Sequence, residues 1–452
     1  MSDLLHDAYQ RALAYQHSLD NRAVFPSPEA LAGMSAFDEA MPLTSQSPHE
    51  TLALLDTYGS PATVANTGRR YFGFVTGGML PITHATNWLA TTWDQNGALY
   101  LTSPIVAKIE TVALRWLIDL FGFPAQTAGA FVSGATMANF TALAAARHLL
   151  LKRQGWDVEA DGLFNAPEIK VVVGDEVHIS VLKALSMLGF GRNRLIRVPV
   201  DEQGRMIPDQ MPYLDAMTIV CIQSGNVNSG AFDPAKEICE KAHAHGAWVH
   251  VDAAFGLWAL ASDELAPLGD GIALADSWTT DAHKWLNVPY DSGIVFCKHE
   301  EALLGAMSTN AAYLTASVQR DPANLVPEFS RCARALDVWG ALRTLGKSGV
   351  SQMIEQNCAL ARLFADGLSQ AGFSVLNDVV LNQVVVAFGD APTTDAVIKA
   401  IQAEGTLWAG RTVWQGRTAM RISVSSWATT PADIEQSLEA MIRVANEVIA
   451  SR

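Results

Sequence analysis

The chain has 452 residues, with 31 Lys+Arg against 46 Asp+Glu, a formal net charge of −15, and 49% apolar and 17% charged residues. That balance argues against nucleic acid or an anionic membrane surface as a partner, and the apolar half excludes a globally disordered chain. A chain this long can bury a large core, and its low charge points to apolar surface covered by another subunit. The first 60 or so residues read as helical, broken by Pro26, Pro28, Pro42 and Pro48. Residues 71–104 are rich in aromatics, Gly and Thr with weak periodicity, and predict loops and short helices. Residues 110–120 repeat apolar positions at helical spacing. Strand-like apolar runs follow at 169–173, 195–198, 218–222, 247–251, 277–280 and 293–296, alternating with amphipathic stretches such as 234–245. Such alternation predicts an α/β protein with a mostly parallel, doubly covered sheet. After about residue 326 the texture changes to helices over 329–345 and 349–371, strands over 382–388 and 419–424, and a closing helix over 431–449. That predicts a smaller C-terminal α+β domain. The expected division is 1–70, a helical segment; 71–325, the large α/β domain; and 326–452, the small domain.

Cys221, Cys239, Cys297, Cys332 and Cys358 are odd in number and scattered, without a CxxC. They predict neither a disulfide framework nor a zinc site, and no metal is expected. Met1-Ser2-Asp3-Leu4-Leu5-His6-Asp7 has no basic region leading into an apolar run, so no signal peptide is expected. No run reaches the ~18 apolar residues of a membrane span. A cytoplasmic location is the expectation.

Four segments carry chemistry. In Phe131-Val132-Ser133-Gly134-Ala135-Thr136-Met137-Ala138-Asn139, a β-prone run turns through small residues into a helix. Backbone N–H groups and the macrodipole at such a start suit a phosphate, although small residues here are also common in ordinary strand–turn–helix joints. Val249-His250-Val251-Asp252-Ala253-Ala254 reads as a buried strand ending in an acid. Asp252 would face the crevice at the carboxyl end of a parallel sheet and need a cation there, or else cap the next helix. In Thr280-Asp281-Ala282-His283-Lys284-Trp285, Lys284 is either a partly desolvated nucleophilic amine or a surface lysine lying over Trp285. In Val177-His178-Ile179-Ser180, His178 opens a helix and is either a ring-stacking imidazole or a structural one.

The order of these pieces resembles fold-type I pyridoxal-phosphate enzymes, and specifically the group II amino-acid decarboxylases. The resemblance runs from about Tyr71 through Arg343 and includes Gly225-Asn226-Val227-Asn228-Ser229-Gly230-Ala231-Phe232-Asp233-Pro234. It implies pyridoxal 5'-phosphate as cofactor, with Lys284 as its Schiff-base partner and Asp252 pairing the pyridinium nitrogen. By the same resemblance His178 stacks on the ring and is a catalytic residue for proton transfer, while Ala254 packs on the other face. Gly134, Ala135 and Thr136 cradle the phosphate with His283 nearby, and Asn226 makes a polar contact to the cofactor. Phe72, Phe74 and Trp93 stand near the substrate mouth or in the core. A homodimer with a shared active site is also implied.

The implied reaction is decarboxylation of an L-amino acid through an external aldimine and a quinonoid, giving an amine and carbon dioxide. Many such decarboxylases carry a loop-tip tyrosine well after the lysine. Here Tyr313 comes early, and 319–328 has none. An aldehyde-forming variant therefore stays open, as do a carbon–carbon lyase and an aminotransferase, for which Arg421 would hold the substrate carboxylate or else serve a structural salt bridge. A non-catalytic α/β binding protein is the alternative from another class. No GxGxxG follows a predicted strand, which disfavours a dinucleotide-binding domain.

Overall fold

The structure, a computed structural model, describes residues 2–309 and 319–452. Two compact units emerge, one of residues 79–359 with 377–383, the other of 1–78, 360–376 and 384–452. Tyr313 lies outside the described residues.

The larger unit is built on seven strands: β1 (Ala128–Val132), β2 (Lys170–Gly174), β3 (Ile196–Val198), β4 (Thr218–Gln223), β5 (Trp248–Asp252), β6 (Ser277–Asp281) and β7 (Gly293–Cys297). Their order is β1-β7-β6-β5-β4-β2-β3. The β2/β3, β2/β4, β4/β5 and β5/β6 pairs are parallel, whereas β7 runs against both β6 and β1. The connection from β6 to β7 contains no crossover helix, so the chain returns beside β6 in the opposite sense. Every residue of β4 to β7 is buried, as a sheet covered on both faces requires. The Ala135–Arg153 helix lies in this core, and Ala138, Ala142, Ala145 and Ala146 are fully buried along it. An alanine-rich helix that is apolar around most of its girth packs closely against strands.

β1 lies at the sheet edge, and two arginines satisfy its outward carbonyls. Arg320 donates to Gly129 O at 2.6 Å and Arg331 to Phe131 O at 2.6 Å. Both guanidiniums are held by the buried Glu110, at 3.0 and 2.9 Å. An edge closed in this way offers no free row of acceptors to another strand. The aromatic-rich stretch after residue 78 contains a longer helix than its weak periodicity predicts, Pro81–Trp93, with proline at its first turn and a left-handed Asp94 (φ 47°) at its end.

The smaller unit has a four-stranded sheet in the order β10-β11-β9-β8, from β8 (Ser374–Val375), β9 (Gln383–Ala387), β10 (Gly410–Trp414) and β11 (Arg417–Ser423). β10 and β11 form a hairpin turned by Gln415 and Gly416, both at positive φ (46° and 77°). The helices Ala391–Glu404 and Pro431–Ala450 complete this unit, the latter opened by a Thr430/Asp433 capping box.

These units group the chain differently from a division at residues 70 and 325. The N-terminal segment belongs with the C-terminal sheet because its backbone is bonded there. Val24 N–H donates to Gly405 O at 2.9 Å, and Phe72 N–H to Trp408 O at 2.8 Å. The boundary at 359/360 falls inside the Ala335–Gln370 helix. That helix breaks at Gly346 (φ 61°, ψ −179°), between the two predicted helices. Among the described residues, no helix is long and apolar enough to cross a membrane.

Candidate active site

The carboxyl ends of β1, β2, β4, β5 and β6 and the start of the reversed β7 lie on one side of the larger unit's sheet. In a parallel sheet this is where ligands bind. The pairings bring the segments together: Asp252 stands opposite Thr279 across β5/β6, Asp281 opposite Gly293 across β6/β7, and Val132 opposite Gly293 across β1/β7. Of the residues read from sequence, Lys284, His283, Asp252, Ala254, His178, Asn226, Gly134, Ala135 and Thr136 all follow or end these strands within the one unit.

Asp252 is 4% exposed. Its Oδ2 accepts from Asn139 Nδ2 and Ser180 Oγ, each at 3.2 Å, and its Oδ1 accepts from Ala254 N–H at 3.2 Å. Among the described residues no cationic nitrogen forms an ion pair with it. A buried carboxylate held by neutral donors is built to receive a cation. Ala254 is half-buried, and its carbonyl accepts from Asp281 N–H at 2.8 Å, tying the ends of β5 and β6 together.

His178 caps the Ile179–Met187 helix. Its Nδ1 accepts from Ser180 N–H at 3.2 Å and lies 2.8 Å from Ser180 Oγ. Lys284 Nζ lies 3.3 Å from Asp281 Oδ2, and His283 Nε2 lies 3.5 Å from the same oxygen. The other His283 nitrogen, Nδ1, accepts from Ser292 N–H at 3.1 Å, so the ring presents an Nε2 donor. Burial also pulls the His283 imidazole below its ordinary pKa. His283 is thus arranged as a neutral hydrogen-bond donor. Tyr290 lies against its ring, with centroids 4.4 Å apart.

The turn after β1 forms a cradle. Gly134 is extended (φ 169°, ψ 176°), and its carbonyl accepts from Met137 and Ala138 N–H at 2.9 Å each. The preceding N–H groups of Ala135 and Thr136 belong to the first turn, whose donors have no acceptor within the helix. A Cβ built on Gly134 would stand 3.4 Å from His283 Cε1 and 3.7 Å from Asp281 Oδ1. That oxygen is itself buried and without a hydrogen-bond partner among the described residues. Asn226, 1% exposed, spends its Oδ1 on Asn228 and Ser229 N–H at 2.8 and 3.2 Å, while its buried Nδ2 has no acceptor among the described residues.

The donor set fits a phosphorylated, cationic aromatic cofactor: outward N–H groups for the phosphate, a buried anion for a ring nitrogen, and an amine for a carbonyl. Residues 64–388 match the family model for the pyridoxal-dependent decarboxylase conserved domain. The chain belongs to this family. Its cofactor is therefore pyridoxal phosphate, and its enzyme class is that of the carboxy-lyases. An aromatic-L-amino-acid decarboxylase of Bacillus atrophaeus is 25% identical over 474 residues, covering 100% of this chain and 96% of that protein. An L-2,4-diaminobutyrate decarboxylase of Rhizobium meliloti (strain 1021) is 30% identical over 389 residues, covering 80% and 74%. A similar protein of that name from Acinetobacter baumannii is matched over 58% of its length. Among solved structures, Oryza sativa TDC with PLP and tryptamine superposes with a TM-score of 0.91 at 21% identity, covering 99% of this chain and 97% of that chain. Mouse CSAD gives 0.89 at 22%, covering 98% of each. At those identities the superpositions establish the fold.

The three residues expected either near a substrate mouth or in the core differ in their surroundings. Phe72 is 1% exposed and packs edge-on against Phe364 in the smaller unit, which makes it a core residue. Phe74 is exposed and stacks on Trp408 in that same unit. Trp93 is partly exposed at the end of the Pro81–Trp93 helix. Arg421 lies on β11, where burial draws its guanidinium below its ordinary pKa while Tyr71 acts the other way. Asn139, Ser180 and Asp281 are functional candidates to which the sequence alone gave no role. Each stands inside a motif already singled out, and it is the tertiary contacts that give it meaning.

Proposed function

We propose that the chain removes the α-carboxylate of an L-amino acid, releasing carbon dioxide and the corresponding amine. The observation that carries this reading is the buried, cation-free Asp252 at the end of β5, beside the strand that leads into Lys284. Pyridoxal phosphate, when bound, supplies an electron sink for the bond that breaks at the substrate Cα. Asp252, held in place by Asn139, Ser180 and the Ala254 N–H, would keep a proton on the ring nitrogen. Lys284 Nζ would be the amine that holds the cofactor's carbonyl carbon, and Asp281 Oδ2, 3.3 Å away, would orient it and accept a proton from it. The Ala135 and Thr136 N–H groups and His283 Nε2 hold the phosphate. His178 and Ala254 are assigned to the two ring faces, and the Asn226 amide to a polar contact.

The protein acts as a homodimer in the cytoplasm in this reading. Trp88, Leu89, Trp93, Tyr100 and Leu101 leave 37–80% of their surface exposed within one short stretch of the larger unit, an apolar concentration that a second subunit would cover. Among the described residues none of the five cysteines forms a disulfide, as a reducing compartment favours.

The test is a panel of L-amino acids assayed for carbon dioxide, amine, aldehyde and hydrogen peroxide. Amine and carbon dioxide in equal amounts, lost together with the visible cofactor band in Lys284→Ala, support the proposal. Aldehyde with peroxide, or keto acid without carbon dioxide, overturns it. Light scattering showing a fully active monomer overturns the dimer.

A further inference from the structure

Behind Asp252 runs a continuous line of hydrogen bonds whose donor directions can be worked out one by one. Trp248 Nε1–H donates to Ser277 Oγ at 3.0 Å, and Ser277 O–H then serves His250 Nδ1 at 2.9 Å. His250 is fully buried and held neutral, its pKa pushed down to about 4 by burial, so its remaining proton is on Nε2. That proton goes to Asn139 Oδ1 at 2.8 Å, and Thr279 O–H reaches the same oxygen at 2.9 Å. With two donors on its oxygen, the Asn139 amide can turn only its NH2 toward Asp252. The NH2 is shared between Asp252 Oδ2 at 3.2 Å and Ser180 Oγ at 3.3 Å.

Ser180 is where this line meets His178. Its Oγ lies 2.8 Å from His178 Nδ1 and 3.2 Å from Asp252 Oδ2, and a hydroxyl has a single proton to give. Two arrangements satisfy these contacts. When Nδ1 is a lone pair, as the Ser180 N–H at 3.2 Å favours, the hydroxyl proton goes to His178 and Asp252 keeps only the Asn139 donor on Oδ2. When Nδ1 carries a proton, that N–H donates to Ser180 Oγ and the hydroxyl turns to Asp252. Among the described residues Cys221 on β4 and His250 on β5 also feel the Asp252 charge, and burial holds both uncharged.

We infer that Ser180 is a positioning residue whose shared hydroxyl links the protonation of His178 to the hydrogen bonding of Asp252, with Asn139 fixing the carboxylate against which it works. The inference rests on the proposed roles of His178 and Asp252 at the cofactor ring. A proton on His178 adds a donor to Asp252, making the carboxylate a weaker base toward the ring nitrogen. Loss of that proton removes the donor. The two faces of the site are coupled through one O–H.

The test loads the full-length protein with pyridoxal phosphate labelled with nitrogen-15 in its ring and reads the resonance of the bound cofactor. The proteins compared are the wild type, His178→Phe, Ser180→Ala and the double variant. Apoprotein titration with pyridoxal phosphate, followed by fluorescence, gives affinities alongside. The expected result is non-additivity: His178→Phe shifts the ring-nitrogen resonance further in the presence of Ser180 than in the Ser180→Ala background, and Ser180→Thr restores the larger shift. Ser180→Ala alone should weaken cofactor binding about three- to tenfold, the effect of one hydrogen bond. Equal shifts in both backgrounds would overturn the coupling, as would failure of Ser180→Thr to restore it. If Ser180→Ala does not fold, Ser180→Cys keeps the size and weakens the donor, with the same two outcomes. A wild-type protein that takes up no cofactor would instead overturn the proposed function itself, so the two failures are distinct.

Discussion

Asp281 Oδ2 stands 3.5 Å from His283 Nε2, while Ser292 N–H occupies the other ring nitrogen at 3.1 Å. His283 is therefore fixed as a donor at Nε2, and becoming a cation would require it to abandon the Ser292 bond. Burial works in the same direction. In its proposed role at the cofactor phosphate, His283 would offer a neutral donor and not a positive charge. Cofactor affinity of the apoprotein should accordingly show no loss as pH rises from 6 to 8 that disappears in His283→Gln. Fluorescence titration across that range checks this. A fall in wild-type affinity through the ordinary histidine range, absent in His283→Gln, would reverse the assignment.

Gly134 and Gly293 make a contrasting pair. Gly134 has an extended backbone that any residue adopts, and its Cβ would meet nothing closer than His283 Cε1 at 3.4 Å. Gly134→Ala should therefore fold with almost unchanged thermal stability, yet fill part of the cradle and weaken cofactor binding about tenfold or more, since a phosphate bound to backbone donors needs close approach. A Cβ on Gly293 would stand 2.4 Å from Gly134 Cα, and backbone cannot yield as a side chain does. Gly293→Ala should lose about 3 kcal/mol or more of stability, the upper range for overpacking. Calorimetry and cofactor titration on the two variants separate the effects.

Strands β2 to β7 were legible to within a residue or two because β4 to β7 are buried along their whole length and β2 nearly so, while the short, partly exposed β3 still reads as a compact apolar run around Arg197. β10 was not, because Gly410-Arg411-Thr412-Val413-Trp414 alternates in burial and carries little apolar weight, and its clearest signal is the Gln415-Gly416 turn. The break at Gly346 was visible as the gap between two helical patterns, although a helix assignment joins them. Within the site, residue types and order pointed to Lys284, Asp252 and the Gly134 turn. The roles of Asn139 and Ser180 depend on partners 41, 72, 113 and 140 positions away in the chain, and no local pattern encodes such distances. The neutral state of His283 was equally hidden, since it follows from one backbone N–H nine residues on.

Glu110 offers a prediction about stability. It and Arg331 are each 1% exposed on their side chains and lie 2.9 Å apart, with Arg320 as a second partner at 3.0 Å. Removing the acid leaves a guanidinium buried without its counter-charge, at a cost of about 3–5 kcal/mol. Glu110→Gln should lower the denaturation midpoint strongly. The double replacement Glu110→Leu with Arg331→Met should recover part of the loss, because it removes the stranded charge as well. Urea denaturation of the three variants checks the order, and a double variant less stable than Glu110→Gln would contradict it.

His250 sets the sign of a pH effect. Its ring is fully buried, and burial lowers its pKa from 6.5 to about 4. The unfolded chain takes up the proton as pH falls through 6.5, while the folded chain resists until about 4, so the unfolded state binds more protons across that window. Stability is fully present above pH 6.5 and declines as pH falls toward 4, by about 3 kcal/mol from this residue. Asp233 acts in the opposite sense. Burial raises it to about 6, so its folded form takes up a proton first and gains stability as pH falls. The two contributions largely offset each other in the wild-type protein, which should therefore show a shallow profile from these residues. His250→Gln keeps a donor for Asn139 but no longer titrates, leaving Asp233 unopposed. Measured by urea denaturation at several pH values, the stability difference between wild type and His250→Gln should change in favour of the variant as pH drops from 6.5 to 4. A difference that stays constant over that range would mean that His250 does not titrate with the fold.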